Sequence, residues 1–406
     1  MLIGVKQYAY LLIVITITFP VYIYVYNPLI TPSRLLVIFL PLLLIGKLNT
    51  ISRMHTENKF LFFGFLIYFL FRFLSALASD DIFLSFGYVL FEFCQFYLCF
   101  ILGGILAIEG KAIKSRYVTS FILLVIVYSL AEFLFQDNIL RLLVTGDSSS
   151  AISAATISFR DGVYRAQGTF EHPLSLSHFL IVSLVYILII DSTSYVKKLS
   201  YISIVFLAVF TTDSRLGLGC LAGLTIFYYL RRPNSYTAGV RFLFILSICA
   251  LSYVSITSIS DGFKESEEQT KSTGTRIKQA TVGISLLNEN LLLGVGPYEV
   301  ADKLQSYSKS LSTNKYLWKS TVDSLVLIRF LESGVIAGFC FFIIIVNIGT
   351  RLVISSFTWE SKFRYSEFLG GVSISFFIFS PLYTINAFAF IVLGYLFFNR
   401  QKRDEI

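Results

Sequence analysis

Tyr164 to Phe179 reads YRAQGTFEHPLSLSHF, which sets Arg165, Glu171, His172 and Pro173 directly before a long apolar run. Pro173 suits the first turn of a helix, where its missing N–H is no loss. Glu171 and His172 then stand at the mouth of that helix, with Arg165 a few residues upstream. His172 has the chemistry of a proton-transfer group, and equally of an entry residue. His178, a turn and a half deeper, reads as a packing residue, and His55 as inert.

Three further stretches hold residue types that can act on a charged substrate. In TTDSRLGLGCLAGL, residues 211–224, Arg215 sits between two short apolar runs. It reads either as a boundary arginine that keeps its head in water or as an anion contact. Gly219-x-x-x-Gly223 behind it is a helix-packing signal. In GTRIKQA, Arg276 and Lys278 precede a helical pattern, and a helix N-terminus with a guanidinium favours phosphate; the alternative is a solvated basic loop. STVDSLVLIRFLESGVIAGF, residues 320–339, opens with Asp323, which can cap a helix, accept a proton, or do both. Arg329 and Glu332 are three residues apart, so they share a helix face and can pair. A guanidinium grips phosphate bidentately and a carboxylate can take a proton from a hydroxyl. Arg165, Arg215, Arg276 and Asp323 together therefore suit transfer of a group from a pyrophosphate-linked lipid to a hydroxyl.

The elements that must bring these residues together are membrane helices. The 406 residues are 55% hydrophobic and only 14% charged, and mean hydropathy is +0.74. A soluble domain has about 25% charged residues, so a set of water-soluble domains is excluded. The fold class expected is all-α: one integral membrane domain over residues 1–406. About twelve apolar runs are long enough to span or nearly span a bilayer, near 8–26, 29–46, 60–78, 82–108, 117–136, 173–190, 199–212, 216–230, 240–257, 324–347, 366–383 and 386–398. The first run is too long for the apolar core of a signal peptide and no A-x-A-like site follows.

Lys47/Arg53/Lys59, Lys111/Lys114/Arg116, Lys197/Lys198, Arg231/Arg232/Arg241, Arg351/Lys362/Arg364 and Arg400/Lys402/Arg403 mark alternate connections. Short basic loops stay in the cytoplasm, which puts both termini there. Two long outward loops remain, 137–172 and 258–323. The second holds eight Lys and Arg, and long loops escape the charge rule. Within it, Ile277, Ala280, Ile284, Leu287 and Leu291 recur at helical spacing, as in an amphipathic helix lying on the membrane. Gly294-x-Gly296-Pro297 ends that helix as a turn signal. The net charge of +8 follows topology and carries no nucleic-acid signature. All five cysteines lie in apolar runs and read as small buried hydrophobes, with no disulfide framework or zinc spacing.

Four segments, in order, resemble the superfamily of bacterial O-antigen polymerases (Wzy) and O-antigen ligases (WaaL): YRAQGTFEHPLSLSHFL, TTDSRLGLG, GTRIKQATVGISLLNENLLLGVGP and STVDSLVLIRFLESGVIAG. The likeness covers roughly 155–345. It implies an undecaprenyl-pyrophosphate-linked oligosaccharide as substrate, transferred at the outer leaflet of the bacterial inner membrane without metal or other cofactor. It further implies Arg215 and Arg276 at the diphosphate, Arg165 positioning donor or acceptor, and a chain-length regulator and a flippase as partners. Ligases usually carry His-Asn where this chain has Asp323-Ser324, and polymerases often have Asp there. The resemblance thus leans toward a polymerase, with ligation to lipid A-core as the alternative. A transporter is a further class, but no paired broken helices or inverted repeats are visible.

Overall fold

A computed structural model describes residues 4–18, 32–138 without 112 and 114, 140, 159–160, 163–170, 172–189, 195–231, 281–304 without 301, 306, 324–356, 365–379 and 386–404. Among them the chain is almost entirely helical. In chain order the principal helices are α1 (Val5–Thr18), α2 (Lys59–Leu77), α3 (Ile82–Ile108), α4 (Arg116–Phe135), α5 (Pro173–Leu188), α6 (Tyr195–Thr211), α7 (Arg215–Arg231), α8 (Leu325–Ser356), α9 (Tyr365–Ser373) and α10 (Asn386–Asp404). Shorter helices, Pro32–Ile38, Leu40–Leu44 and Leu48–Glu57, link α1 to α2, and Ser375–Phe379 follows α9. The strand content is one two-residue ladder, β1 (Phe159–Arg160) with β2 (Val163–Tyr164), antiparallel with Phe159 opposite Tyr164.

Helices α2, α3, α4 and α8 are each long and apolar enough to cross a membrane. Their outward faces carry large bare hydrophobics such as Phe63, Leu66, Leu124, Val127 and Phe339. That is the wrong surface for water and the right one for lipid. Helices α1, α5 and parts of α6, α7 and α10 are apolar but shorter. The expected run at 240–257 lies outside the described residues.

One apolar core joins the helices. At its centre α3 meets α10 backbone to backbone. A Cβ on Gly103 would collide with the Ile391 carbonyl, and one on Gly394 with that of Phe100. Small residues permit this approach, and dispersion over the contact stabilises it. The expected packing signal at Gly219 and Gly223 falls elsewhere. Both glycines face open space among the described residues, and Gly217 makes the close contact instead, against Ser177 and Val209.

Contacts sort the connections onto two ends. At one end Lys47 and Lys111 both reach Glu109, the first at 2.6 Å, and Arg351 Nη1 donates to Asn58 Oδ1 at 3.1 Å. Burial pushes the Glu109 carboxyl up, but Lys111 and Lys47 outweigh it and hold it below the usual carboxylate range. His55 stacks on Phe62 and shares a 2.6 Å hydrogen bond with Tyr97, while burial lowers its pKa. The opposite end collects the Ser79–Asp81 turn, the segment 164–170, the turn between α6 and α7, and the described part of the loop before α8. The described cysteines are free, with Cys94, Cys99 and Cys220 buried.

Candidate functional site

Two assemblies occupy that second end. The first forms around the segment 163–170. Its backbone lies against the α6–α7 turn: Ala166 N donates to Thr211 O at 2.9 Å, and Arg165 Nε donates to Thr212 O at 3.0 Å. The turn is tight, with Asp213 at φ 47°. Ser214 begins α7, since its hydroxyl accepts from Gly217 N and its carbonyl from Leu218 N, the arrangement of an N-cap. Arg215 is therefore the first residue of α7 and half-buried, three residues from the carbonyl that holds Arg165. Arg165 is thereby anchored to the turn that precedes Arg215, fifty positions later in sequence, at a helix entry whose dipole favours an anion.

What fixes the Arg165 segment is a residue that sequence reading passed over. Glu132, near the end of α4, is buried. Its carboxylate accepts from Gln167 N at 3.0 Å, Gly168 N at 2.6 Å and the Tyr164 hydroxyl at 3.0 Å. Asn138 Nδ2 adds a bond to Gly168 O, and the Tyr128 hydroxyl donates to Asn138 in turn. Thr169 Oγ1 donates to Ile17 O at the end of α1. The signal was a lone acid in the apolar run SLAEFLF. Acids in such runs are rare unless paired.

His172 has a definite structural task. It is the N-cap of α5, its Nδ1 accepting from Leu174 N at 3.0 Å with Pro173 in the first turn. His178 is fully buried, stacked on Phe376 at 4.7 Å and edge-on to Phe377 at 5.0 Å, as a packing residue. Glu171, Arg276, Lys278 and Asp323 lie outside the described residues.

The second assembly joins the large loop to α8. Helical residues 281–289 pack on α8 through Leu286, with Gly283 against Leu331. The expected apolar stripe is thereby split. Leu287 is half-buried, but Ile284 and Leu291 remain 55% and 50% exposed, because Val282 and Leu286 supply the face that meets α8. The next turn docks on a break in α8 at Ser333 and Gly334, whose φ is 79°. Val295 N donates to Leu331 O at 2.9 Å, Gly296 N to Glu332 O at 3.1 Å and Val335 N to Leu291 O at 2.9 Å. Gly294, at φ 69°, and Gly334 have no alternative: a side chain on either would strike the opposing backbone, and positive φ suits glycine. The loop then touches the start of α3, where Ser85 Oγ donates to Pro297 O, and the α2–α3 turn, where Lys303 pairs with Asp80. The Asp80 hydrogen bond raises the Lys303 pKa.

Beneath this seam, Arg329 and Glu332 pair as their spacing suggests, but inside a larger group. Arg72 of α2 and Glu92 of α3 complete a buried quartet of two arginines and two glutamates. Among the described residues no group of three or more His, Cys, Asp or Glu side chains is placed to hold a metal ion.

No curated protein matches the chain. Residues 200–342 match the family model described as O-antigen ligase, a stretch that includes Arg215, Arg276, Lys278 and Asp323, and stops short of Arg165, Glu171 and His172. The contact of Arg165 with Thr212 nevertheless ties the preceding segment to it. The chain therefore carries an O-antigen ligase family domain at residues 200–342, consistent with the superfamily of O-antigen polymerases and ligases.

Proposed function

We propose that the protein polymerises a bacterial surface polysaccharide. A glycan chain on undecaprenyl pyrophosphate is the donor, and a sugar hydroxyl of a lipid-linked repeat unit is the acceptor. The hydroxyl oxygen attacks the anomeric carbon, the bond from that carbon to the phosphate oxygen breaks, and the hydroxyl proton passes to Asp323. Undecaprenyl pyrophosphate leaves with the bonding pair, and Arg215 and Arg276 stabilise the negative charge that grows on it. Arg165, Glu171, His172 and Lys278 line the substrate. In this reading about twelve spans sit in the inner membrane, with both termini cytoplasmic and the site on the outer side.

The observation that carries the proposal is the seating of the Arg165 segment on the turn before Arg215. It ties the segment that carries Arg165 to the turn from which Arg215 starts α7, and this supports a diphosphate held between the two segments. Ligation to lipid A-core is the second reading, favoured by the description of the matching family model; Asp323-Ser324, where ligases usually carry His-Asn, favours polymerisation. Deletion followed by gel analysis of surface polysaccharide separates the two. A polymerase mutant keeps one attached repeat unit, whereas a ligase mutant loses all attached units.

A further inference from the structure

The buried quartet lies outside the Arg165–Arg215 site, and the transfer chemistry does not use it. Arg72 Nη1 donates to Glu332 Oε2 at 2.7 Å and to Ser333 Oγ at 2.8 Å, while its Nη2 reaches Glu92. Arg329 Nε lies 3.2 Å from Glu92 Oε1, and Arg329 also bonds Glu332. The Tyr68 hydroxyl donates to Glu92, and Tyr88 and Phe96 lie under the two guanidinium groups at 5.8 and 5.7 Å. Formal charge sums to zero, which lets four ionised groups stay buried together.

The quartet's position gives it a use. Ser333 is one of the two residues at which α8 breaks, and Glu332 directly precedes it. Ser75 Oγ donates to the Glu332 carbonyl at 2.7 Å, and that same carbonyl accepts from Gly296 N of the loop. The bonds from Arg72 to the Glu332 and Ser333 side chains therefore hold open the gap into which residues 291–297 dock. By sequence, Arg276 lies just ahead of the loop helix that this docking fixes, and Asp323 just ahead of α8.

Resting on the polymerase reading, we infer that Arg72 and Glu332 are positioning residues: their ion pair latches residues 291–297 of the large loop to the break in α8, and elongation depends on that docking. A misplacement of about 1 Å at such a site can cost 10²-fold in rate.

The test compares two charge-neutral double variants in full-length protein. Arg72→Met/Glu332→Gln removes the latch and leaves the Arg329–Glu92 pair. Glu92→Gln/Arg329→Met removes the same number of charges and leaves Arg72 on Glu332 and Ser333. Loop docking is read without activity, in a background lacking the native cysteines, by crosslinking Asp80→Cys to Lys303→Cys with a short bis-thiol reagent. Elongation of a lipid-linked repeat unit is measured alongside. The latch variant is expected to lose most crosslinking and at least about 10-fold in elongation, while the matched variant keeps both within about threefold. If Arg72→Met/Glu332→Gln does not fold, Arg72→Lys replaces it. Lysine keeps the charge but cannot reach Glu92, Glu332 and Ser333 at once, and the same losses are expected at smaller amplitude. Unchanged crosslinking in the latch variant overturns the inference, as does equal loss in both variants, which marks a merely structural cluster. Lost crosslinking with normal elongation refutes the positioning role. A wild-type protein that elongates nothing sinks the polymerase reading instead, and the crosslinking arm still decides the latch.

Discussion

Replacing Glu132 tests whether one buried carboxylate holds the Arg165 segment in place. Two backbone amides and one hydroxyl of the segment donate to that carboxylate. In Glu132→Ala both amides lose their partner inside a buried loop, at about 1–3 kcal/mol each, so the docked segment should be weakened by about 4 kcal/mol. Glu132→Gln keeps one oxygen for Gln167 N and Tyr164 but turns an NH₂ toward Gly168 N; losing that one charge-assisted bond costs about 2 kcal/mol. At 1.4 kcal/mol per tenfold, local opening should rise about 30-fold in the glutamine variant and about 10³-fold in the alanine variant. Hydrogen exchange of peptides covering residues 163–170, in detergent or nanodiscs, measures this directly. Peptides from α8 serve as the internal control and should not change. Elongation should fall in the same order, since Arg165 moves with its segment. Exchange of the segment within twofold of wild type in Glu132→Ala refutes the reasoning, because the bonds would then carry no load.

Four further outcomes follow from the site and the topology. Arg215→Lys and Arg276→Lys should impair elongation nearly as much as alanine, because lysine lacks the planar fork; normal polymer from folded lysine variants rules out bidentate phosphate binding. Asp323→Asn keeps a good N-cap but should lose about 10²–10⁴-fold in elongation at normal expression, and full activity would leave Asp323 a cap alone. Reporter fusions after Asn314 and Asp147 should read outside, and those after Lys198 and at the C-terminus inside; a cytoplasmic signal at Asn314 removes the shared face. The Glu109 carboxyl is held low by Lys111 and Lys47, so its contribution is present above the ordinary carboxylate pKa and lost as pH falls through the depressed one. With these groups partly exposed it is about 0–1 kcal/mol, so Glu109→Gln should lower the melting temperature slightly at neutral pH and leave it unchanged at acid pH, where the wild-type carboxyl is already protonated.

Length and apolarity made the long helices legible: α2, α3 and α4 begin and end within a residue or two of the expected runs. Pro173 announced the start of α5, and the glycines of GVGP announced a turn, because each of those signals acts over a few neighbouring residues. The spacing of Arg329 and Glu332 gave their pairing for the same reason. Partners from distant elements were another matter. Arg72 and Glu332 are 260 positions apart, and nothing local to either names the other. Glu132 escaped notice because it supports backbone amides, which every residue has. The break in α8 was hidden in a uniformly apolar run. A lone glycine does not interrupt such a pattern, and only the docked loop makes the break affordable.

That break also constrains the order in which the chain is assembled. It lies roughly 12 Å along α8 from Leu325, at 1.5 Å per residue, well inside the depth of a bilayer. Leu331 O accepts there from the amide of residue 295, and Glu332 O from the amide of residue 296 and from Ser75 Oγ of α2. A helix with such a gap, inserted alone, would present unpaired carbonyls to hydrocarbon at several kcal/mol. Residues 291–297 precede α8 in synthesis, so on the proposed topology their amides have already crossed when α8 enters. Moving that loop to a later position in the chain, as a circular permutation would, should leave every contact of the finished protein available and still cut the yield of correctly inserted molecules.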